Sequence, residues 1–121
     1  MITYCMMTQN RLVETIDAIN LVYPFVDRII VIDGGSIDDS IFYLRNMAKE
    51  NPKMEFYIHP WIDNFSAQRN NYLSRVEDNS WVLVSDPDEY FDLSFLENLE
   101  AVIKDAEAAG KDMVGIQCNI S

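Results

Sequence analysis

Three carboxylates stand close together in the chain, at Asp86, Asp88 and Glu89. They follow the apolar run at residues 81–85, so a buried strand would hold them at its end, and Pro87 stiffens the turn between them. Oxygen ligands at this spacing suit Mg²⁺ or Mn²⁺ with a coordination sphere completed by substrate phosphates. The cluster therefore predicts a divalent metal site. The alternative is a solvated acidic turn that prepares the next helix.

A second polar loop, Asp33 to Ser36, follows the β-branched run at residues 28–32. A carboxylate at a strand end can accept hydrogen bonds from ribose hydroxyls or a base imide, and Gly35 lets the backbone come close to a ligand. The loop thus predicts a nucleotide contact through Asp33. The alternative is a simple turn before a helix, which we expect Asp38 or Asp39 to cap.

Arg69 is one of only nine basic residues. It precedes the acidic cluster on a predicted helix, where its guanidinium would pair with a diphosphate or with the cluster itself. The alternative is a surface salt bridge with Asp63 or another neighbour.

The single histidine and the two cysteines predict no chemistry of their own. His59 has no Ser or Cys nucleophile motif beside it, so we expect a structural role. Cys5 and Cys118 lie in predicted buried strands without a CxxC pattern, which favours free thiols in the core.

Short β-rich runs alternate with helical patterns along the whole chain. The patterns predict strands at 2–7, 28–32, 54–59, 80–85 and 113–118, and helices at 11–22, 38–50, 65–76 and 94–110, the last with a capping box from Ser94 to Glu97. Such alternation implies right-handed crossovers and a mainly parallel sheet covered on both faces, an α/β three-layer sandwich. Because ligands bind beyond the carboxyl ends of such strands, both polar loops are expected at one edge.

Composition limits the kinds of partner. The 121 residues suit one domain, and a net charge of -11 repels nucleic acid and anionic membrane surfaces. An anionic substrate would need a cation, an Arg or exposed backbone amides. The chain shows no basic leader and no apolar run long enough to span a membrane, which predicts a soluble, cytoplasmic protein.

Three segments together resemble the family-2 glycosyltransferases, which have the GT-A fold. Residues 28–38 are similar to the family's second strand and its Asp-Asp-Gly-Ser-x-Asp loop, with Gly34 in place of the second acid. Residues 64–70 resemble its Ala-Arg-Asn segment, and residues 81–89 resemble its strand and DxD motif. Residues 6–10 depart from the family, because relatives carry Pro-Thr-Tyr-Asn there. The resemblance extends over nearly all of the chain.

The resemblance implies a role for each matching residue. Asp33 would contact the nucleoside, Arg69 would lie near the nucleotide, and Asp88 would bind the metal that bridges the donor diphosphate. Asp86 is predicted beside it, both as a metal ligand and as a nucleotide-sugar contact. Despite the departure in the first loop, Thr8 and Asn10 are still expected to line the nucleotide pocket.

The resemblance also implies an activity: inverting transfer of a sugar from a nucleoside-diphosphate sugar, with UDP favoured, to a saccharide or other hydroxyl acceptor, with Mn²⁺ or Mg²⁺. The chain would be a single nucleotide-sugar-binding domain, 1–121, that lacks most of the acceptor-binding half, so the catalytic base is expected beyond Ser121. A partner chain would then supply the acceptor side, and an exposed sheet edge would favour a homodimer.

Two other functions stay open. One is a non-catalytic nucleotide-sugar-binding or interaction module. The other, a nucleotidyltransferase, is less favoured because residues 8–11 are not a basic, glycine-rich loop.

Overall fold

The computed structural model describes residues 1–78, 80–110 and 119–120. Its centre is a parallel four-stranded sheet in the order β3-β2-β1-β4. The strands are β1 Ile2–Thr8, β2 Arg28–Asp33, β3 Met54–Ile58, β4 Trp81–Val84, and a separate antiparallel pair, β5 Glu89–Tyr90 with β6 Asn119–Ile120. The helices are α1 Leu12–Val22, α2 Ser40–Glu50, α3 Phe65–Leu73, α4 Leu93–Glu97 and α5 Leu99–Ala108, with one 3₁₀ turn at Tyr23–Phe25.

The sheet is buried on both faces, which explains why β2 is apolar at successive positions. Ile29 and Val31 point to one side and pack in a core with residues of α1, α2, α4 and α5. Ile30 and Ile32 point to the other side and pack with Tyr72 of α3. Helices thus cover both faces, and the predicted α/β three-layer architecture is confirmed.

The strand order creates a crevice between β1 and β4. The chain runs outward from β1 to β2 and β3 on one side, and then returns through α3 to place β4 on the other side of β1. The strand order therefore reverses at β1. In parallel sheets this reversal is where ligands bind.

An ion pair joins the neighbouring strands β2 and β3. The Arg28 guanidinium donates to both carboxylate oxygens of Glu55 and also to the backbone oxygen of Arg75, just beyond α3. The hydrogen bond from Arg28 lowers the pKa of Glu55.

Several predicted boundaries differ from the structure. The helix expected over 94–110 is divided into α4 and α5 at Asn98, whose side chain donates to the Ser94 backbone oxygen. The capping box is therefore wrong, because Ser94 lies inside α4 and Asp92 precedes the helix. The helix expected to reach residue 76 ends at Leu73.

Other local predictions are confirmed, and one lies outside the described residues. Asp39 is the N-cap of α2, and the Asp38 carboxylate accepts a hydrogen bond from the Ser40 amide. Cys5 is a buried free thiol, and burial raises its pKa to about 12. The fifth predicted strand, with Cys118, falls in residues that the structure does not describe. Among the residues that the structure describes, no helix is long and apolar enough to cross a membrane.

Candidate functional site

A crevice of about 420 Å³ opens at the carboxyl edge of the sheet, where β1 and β4 diverge. Residues from the loops after all four parallel strands contribute to its wall, together with the start of α3. The lining residues are Met7, Thr8, Gln9, Arg11, Gly34, Trp61, Phe65, Gln68, Asp86, Pro87 and Asp88. Its size is in the range of small-molecule sites.

The acidic cluster forms a closed turn at the end of β4. The Glu89 amide donates to the Asp86 backbone oxygen at 3.0 Å, and the Asp86 amide donates to the Glu89 carboxylate at 2.9 Å. The residue before the turn, Ser85, is buried, and its hydroxyl lies 2.5 Å from that of Tyr4 on β1. The fold thus fixes both ends of the turn that carries Asp86 and Asp88.

Negative charge is concentrated at this turn. Partial burial raises the pKa of Asp86, the charges of Glu89 and Asp88 raise it further, and Arg69 opposes the shift. A bound cation would relieve the repulsion between these carboxylates.

The carboxylates in the crevice wall suit a divalent metal ion. Asp86 and Asp88 both line the crevice and offer the oxygen ligands that Mg²⁺ and Mn²⁺ prefer. Within the described ranges, however, no group of three or more His, Cys, Asp or Glu residues is arranged to hold a metal. The residues therefore fit a metal that takes its remaining ligands from substrate phosphates and water, as Mg²⁺ commonly does.

The loop after β2 uses Asp33 to hold its own shape. Asp33 is fully buried, and its carboxylate accepts hydrogen bonds from the Gly35 amide and from the amide and hydroxyl of Ser36. Gly35 has a φ of +103°, which favours glycine. A nucleoside contact through Asp33 would compete with these bonds, and this role stays a prediction.

Asn10 joins the loops after β1 and β2. The side-chain oxygen of Asn10 accepts hydrogen bonds from the backbone amides of Ile37 and Asp38 at 2.7 and 3.3 Å. The backbone amide of Asn10 donates to the Ser36 hydroxyl. In this arrangement Asn10 shapes the edge of the site from outside the crevice wall. Thr8, by contrast, lies in the wall, and its hydroxyl lies 2.7 Å from that of Thr15 on α1.

Gly34 lies where the loop after β1 and the loop after β3 approach each other. A Cβ atom at this position would lie 3.0 Å from the Gln9 side-chain oxygen and 3.6 Å from Cβ of Trp61. The backbone oxygen of Gly34 also accepts a hydrogen bond from the Trp61 amide. The wall at Gly34 therefore leaves little room for a side chain.

Arg69 is exposed on α3, and it acts on the acidic turn. Its charge lowers the pKa of Asp86 and also that of Tyr72, against the effect of burial on both groups. This agrees with the predicted proximity of Arg69 to the cluster, although its side chain is not part of the crevice wall.

The crevice thus contains only part of the predicted set. Of the residues assigned from the sequence, the wall includes Thr8, Asp86 and Asp88, and leaves out Asn10, Asp33, Gly35 and Arg69. It adds Arg11, Trp61, Phe65 and Gln68, which were not assigned to the site. These residues follow β1 and β3 in the chain. Because both strands end at the edge of the sheet where ligands bind, this position could have indicated that they belong to the site.

His59 has structural contacts. Its amide donates to the Asp33 backbone oxygen, its own backbone oxygen accepts from the Gln68 side chain, and its Nε2 lies 3.3 Å from Arg75 Nη2. These contacts agree with the structural role predicted for it.

The fold and the crevice define an α/β protein with a cavity at the topological switch point of a parallel sheet, where ligands bind in such folds. Residues 1–119 match the family model described as Glycosyl transferase family 2. The chain belongs to this family. A search of curated proteins gave no match.

Solved structures share the fold at low sequence identity. One is the mannosyltransferase PcManGT from Pyrobaculum calidifontis in complex with GDP-Man and Mn²⁺, with a TM-score of 0.62 and 16% identity over 74% of this chain and 28% of the other. Another is TarS 1-349 of S. aureus, with a TM-score of 0.63 and 19% identity over 88% of this chain and 33% of the other. The chain therefore spans a third or less of these two proteins, whose GT-A fold it shares.

Proposed function

We propose that this chain is the donor-binding part of an inverting glycosyltransferase, which transfers a sugar from a nucleoside-diphosphate sugar to a saccharide or other hydroxyl acceptor. The observation that carries the proposal is the position of Asp86 and Asp88, which line a crevice at the switch point of the sheet. UDP is the favoured nucleotide, and Mn²⁺ or Mg²⁺ the favoured metal.

In this proposal Asp88 and Asp86 hold the metal together with the donor phosphates. The metal supplies the positive charge that stabilises the departing nucleoside diphosphate. Arg11 lies in the crevice wall, where its guanidinium supplies a positive charge. Arg69, beside Asp86, contributes a second. Such local charges are needed because the whole chain carries -11 and repels an anionic ligand.

Calorimetric titration tests the proposal. UDP-sugars and GDP-sugars are titrated into the parent chain with and without Mn²⁺, and into Asp88→Asn and Asp105→Asn. Binding should require Mn²⁺ and should weaken at least about tenfold in Asp88→Asn, since loss of even an outer-shell partner of a metal typically costs 10- to 100-fold. Asp105→Asn removes the same charge from an exposed position on α5 and should bind like the parent.

Two results would contradict the proposal: absence of metal-dependent binding in the parent, or equal weakening in both variants. Turnover in a transfer assay with bound donor would exclude the alternative of a non-catalytic binding module. That alternative predicts full binding without turnover.

The remaining details stay predictions. The catalytic base is expected beyond Ser121, the acceptor half would come from a further segment, a second copy or a partner chain, and the predicted location is cytoplasmic. A nucleotidyltransferase is disfavoured because the loop after β1 contains no glycine between Thr8 and Arg11.

A further inference from the structure

Two aromatic side chains form one end of the crevice. The rings of Trp61 and Phe65 meet edge to face, with centroids 4.8 Å apart and planes inclined at 67°. Both residues line the crevice, and Phe65 keeps 63% of its surface exposed. An exposed apolar surface beside a cavity is typical of a surface that binds a ligand.

The aromatic pair is held in place before any ligand arrives. The Trp61 amide donates to the Gly34 backbone oxygen at 2.9 Å, and its indole Nε1 donates to the Asp63 carboxylate at 2.8 Å. Phe65 begins α3, whose N-cap Asn64 accepts a hydrogen bond from the Ala67 amide. Rings that are already ordered lose little conformational entropy when a ligand stacks on them.

The sheet separates the aromatic end from the acidic end. Trp61 follows β3 and Asp86 follows β4, and these are the two outer strands of the order β3-β2-β1-β4. Three interstrand spacings of about 4.8 Å place the two strand ends about 14 Å apart. A ligand with its diphosphate near Asp86 and Asp88 would extend over β1 and β2 toward Trp61.

A polar group lies next to the aromatic end. The side-chain oxygen of Gln9 and Cβ of Trp61 both approach the position that a Cβ on Gly34 would take, at 3.0 and 3.6 Å. A carboxamide both donates and accepts hydrogen bonds, as the edge of a nucleobase does. The face of the Trp61 indole beside the Gln9 carboxamide suits a nucleobase better than it suits a second phosphate.

We infer that Trp61 is the platform on which the nucleobase of the donor stacks, with the inclined ring of Phe65 against the edge of that base, an assignment that rests on the proposed function. Base stacking on protein aromatics tolerates different bases because every base has a π face. Trp61 and Phe65 would therefore set affinity for the nucleoside part, while Asp86 and Asp88 act on the diphosphate.

Sugar-free ligands test this inference directly. Affinities of UDP, GDP and inorganic pyrophosphate are measured with Mn²⁺ present, for the parent, Trp61→Leu, Phe65→Leu and Trp61→Phe. UDP and GDP should bind Trp61→Leu about 5- to 150-fold more weakly, the range expected for loss of one stacked aromatic. Pyrophosphate has no base and should bind all four proteins equally. Trp61→Phe keeps an aromatic ring and should recover most of the affinity, and Phe65→Leu should lose less than Trp61→Leu.

Fluorescence provides a second measurement on folded protein. The chain has two tryptophans, Trp61 and Trp81. In Trp81→Phe the remaining indole should be quenched by UDP and Mn²⁺ but not by pyrophosphate and Mn²⁺. In Trp61→Phe, which keeps Trp81, the quenching should be lost.

The outcomes separate this inference from the proposed function. If the parent binds neither pyrophosphate nor nucleoside diphosphates with Mn²⁺, the proposed function itself fails. If the parent binds them but Trp61→Leu has unchanged affinity for UDP and GDP, the platform is refuted while the metal site stands. Equal loss for pyrophosphate would show damage to the whole site. Either result overturns the inference.

Discussion

The carboxyl group of Asp86 lies among other negative charges, and this determines how it should titrate. Burial, Glu89 and Asp88 all disfavour its ionised form, and the nearby Arg69 offsets them only in part. A carboxyl with a raised pKa holds its proton at a higher pH than an ordinary one, so protons and metal ions compete for it at less acidic pH.

We expect this effect to appear in a carboxyl ¹³C NMR titration of the metal-free protein. Asp86 should titrate above the value of an unperturbed Asp, about 3.9. Glu89→Gln removes one of the charges that raise the pKa and should shift the midpoint of Asp86 downward. Mn²⁺ affinity of the parent should therefore fall with decreasing pH, and that fall should begin at a lower pH in Glu89→Gln.

Glu97→Gln is the matched control, because Glu97 is exposed on α4 and is not among the groups that shift Asp86. The same midpoint for Asp86 in the parent and in Glu89→Gln would show that the charge of Glu89 does not act on it.

At the scale of elements, one buried hydrogen bond joins β1 to the end of β4. Tyr4 is fully buried, and its hydroxyl lies 2.5 Å from that of Ser85, which directly precedes the acidic turn. The hydrogen bond therefore connects the central strand β1 with the residue directly before Asp86. Since both groups are buried, water would not readily replace a lost partner.

Tyr4→Phe should lower the free energy of unfolding by about 1–2 kcal/mol, because the Ser85 hydroxyl loses this buried partner. Urea denaturation of the metal-free protein measures the change. Tyr43→Phe makes the same chemical change at a side chain that is 51% exposed and should stay within about 0.5 kcal/mol of the parent. Equal effects of the two substitutions would rule out a contribution from burial of the Tyr4 hydroxyl.

The whole molecule carries a net charge of -11, which surrounds the crevice with negative potential. Such a field attracts a divalent cation and repels a free nucleotide, so the cation should bind first or together with the nucleotide. It also opposes binding to nucleic acid.

Mn²⁺ binding should therefore depend on salt. Raising KCl from about 10 mM to about 300 mM, which shortens the Debye length from about 30 Å to below 10 Å, should weaken Mn²⁺ binding roughly threefold to tenfold. Calorimetry at the two concentrations measures this. A variant with Asp17→Lys and Asp105→Lys, both at exposed positions on helices, should bind Mn²⁺ more weakly at low salt and show a smaller salt effect. An identical salt dependence would mean that only the charges at the site matter.

The sequence by itself determined the four parallel strands, the helices between them and the acidic turn of this protein. The β-branched run of β2, the periodicity of α1 and α2 and the carboxylates after β4 are local patterns, and local patterns depend on residues that are close in the chain. The three motifs also identified the family before any contact was known. The break at Asn98 was missed, because the apolar spacing continues through it.

Only the tertiary structure decided which residues share the crevice. The sheet places β4 beside β1, which brings Arg11 to the same cavity as Asp88, and the loop after β3 together with the start of α3 adds Trp61 and Phe65. The fold also buries Asp33 within its own loop, where its carboxylate accepts hydrogen bonds from the amides of Gly35 and Ser36. The physical reason is that strand order and loop packing depend on pairing between distant segments, whose free energy is not contained in the pattern of any single segment.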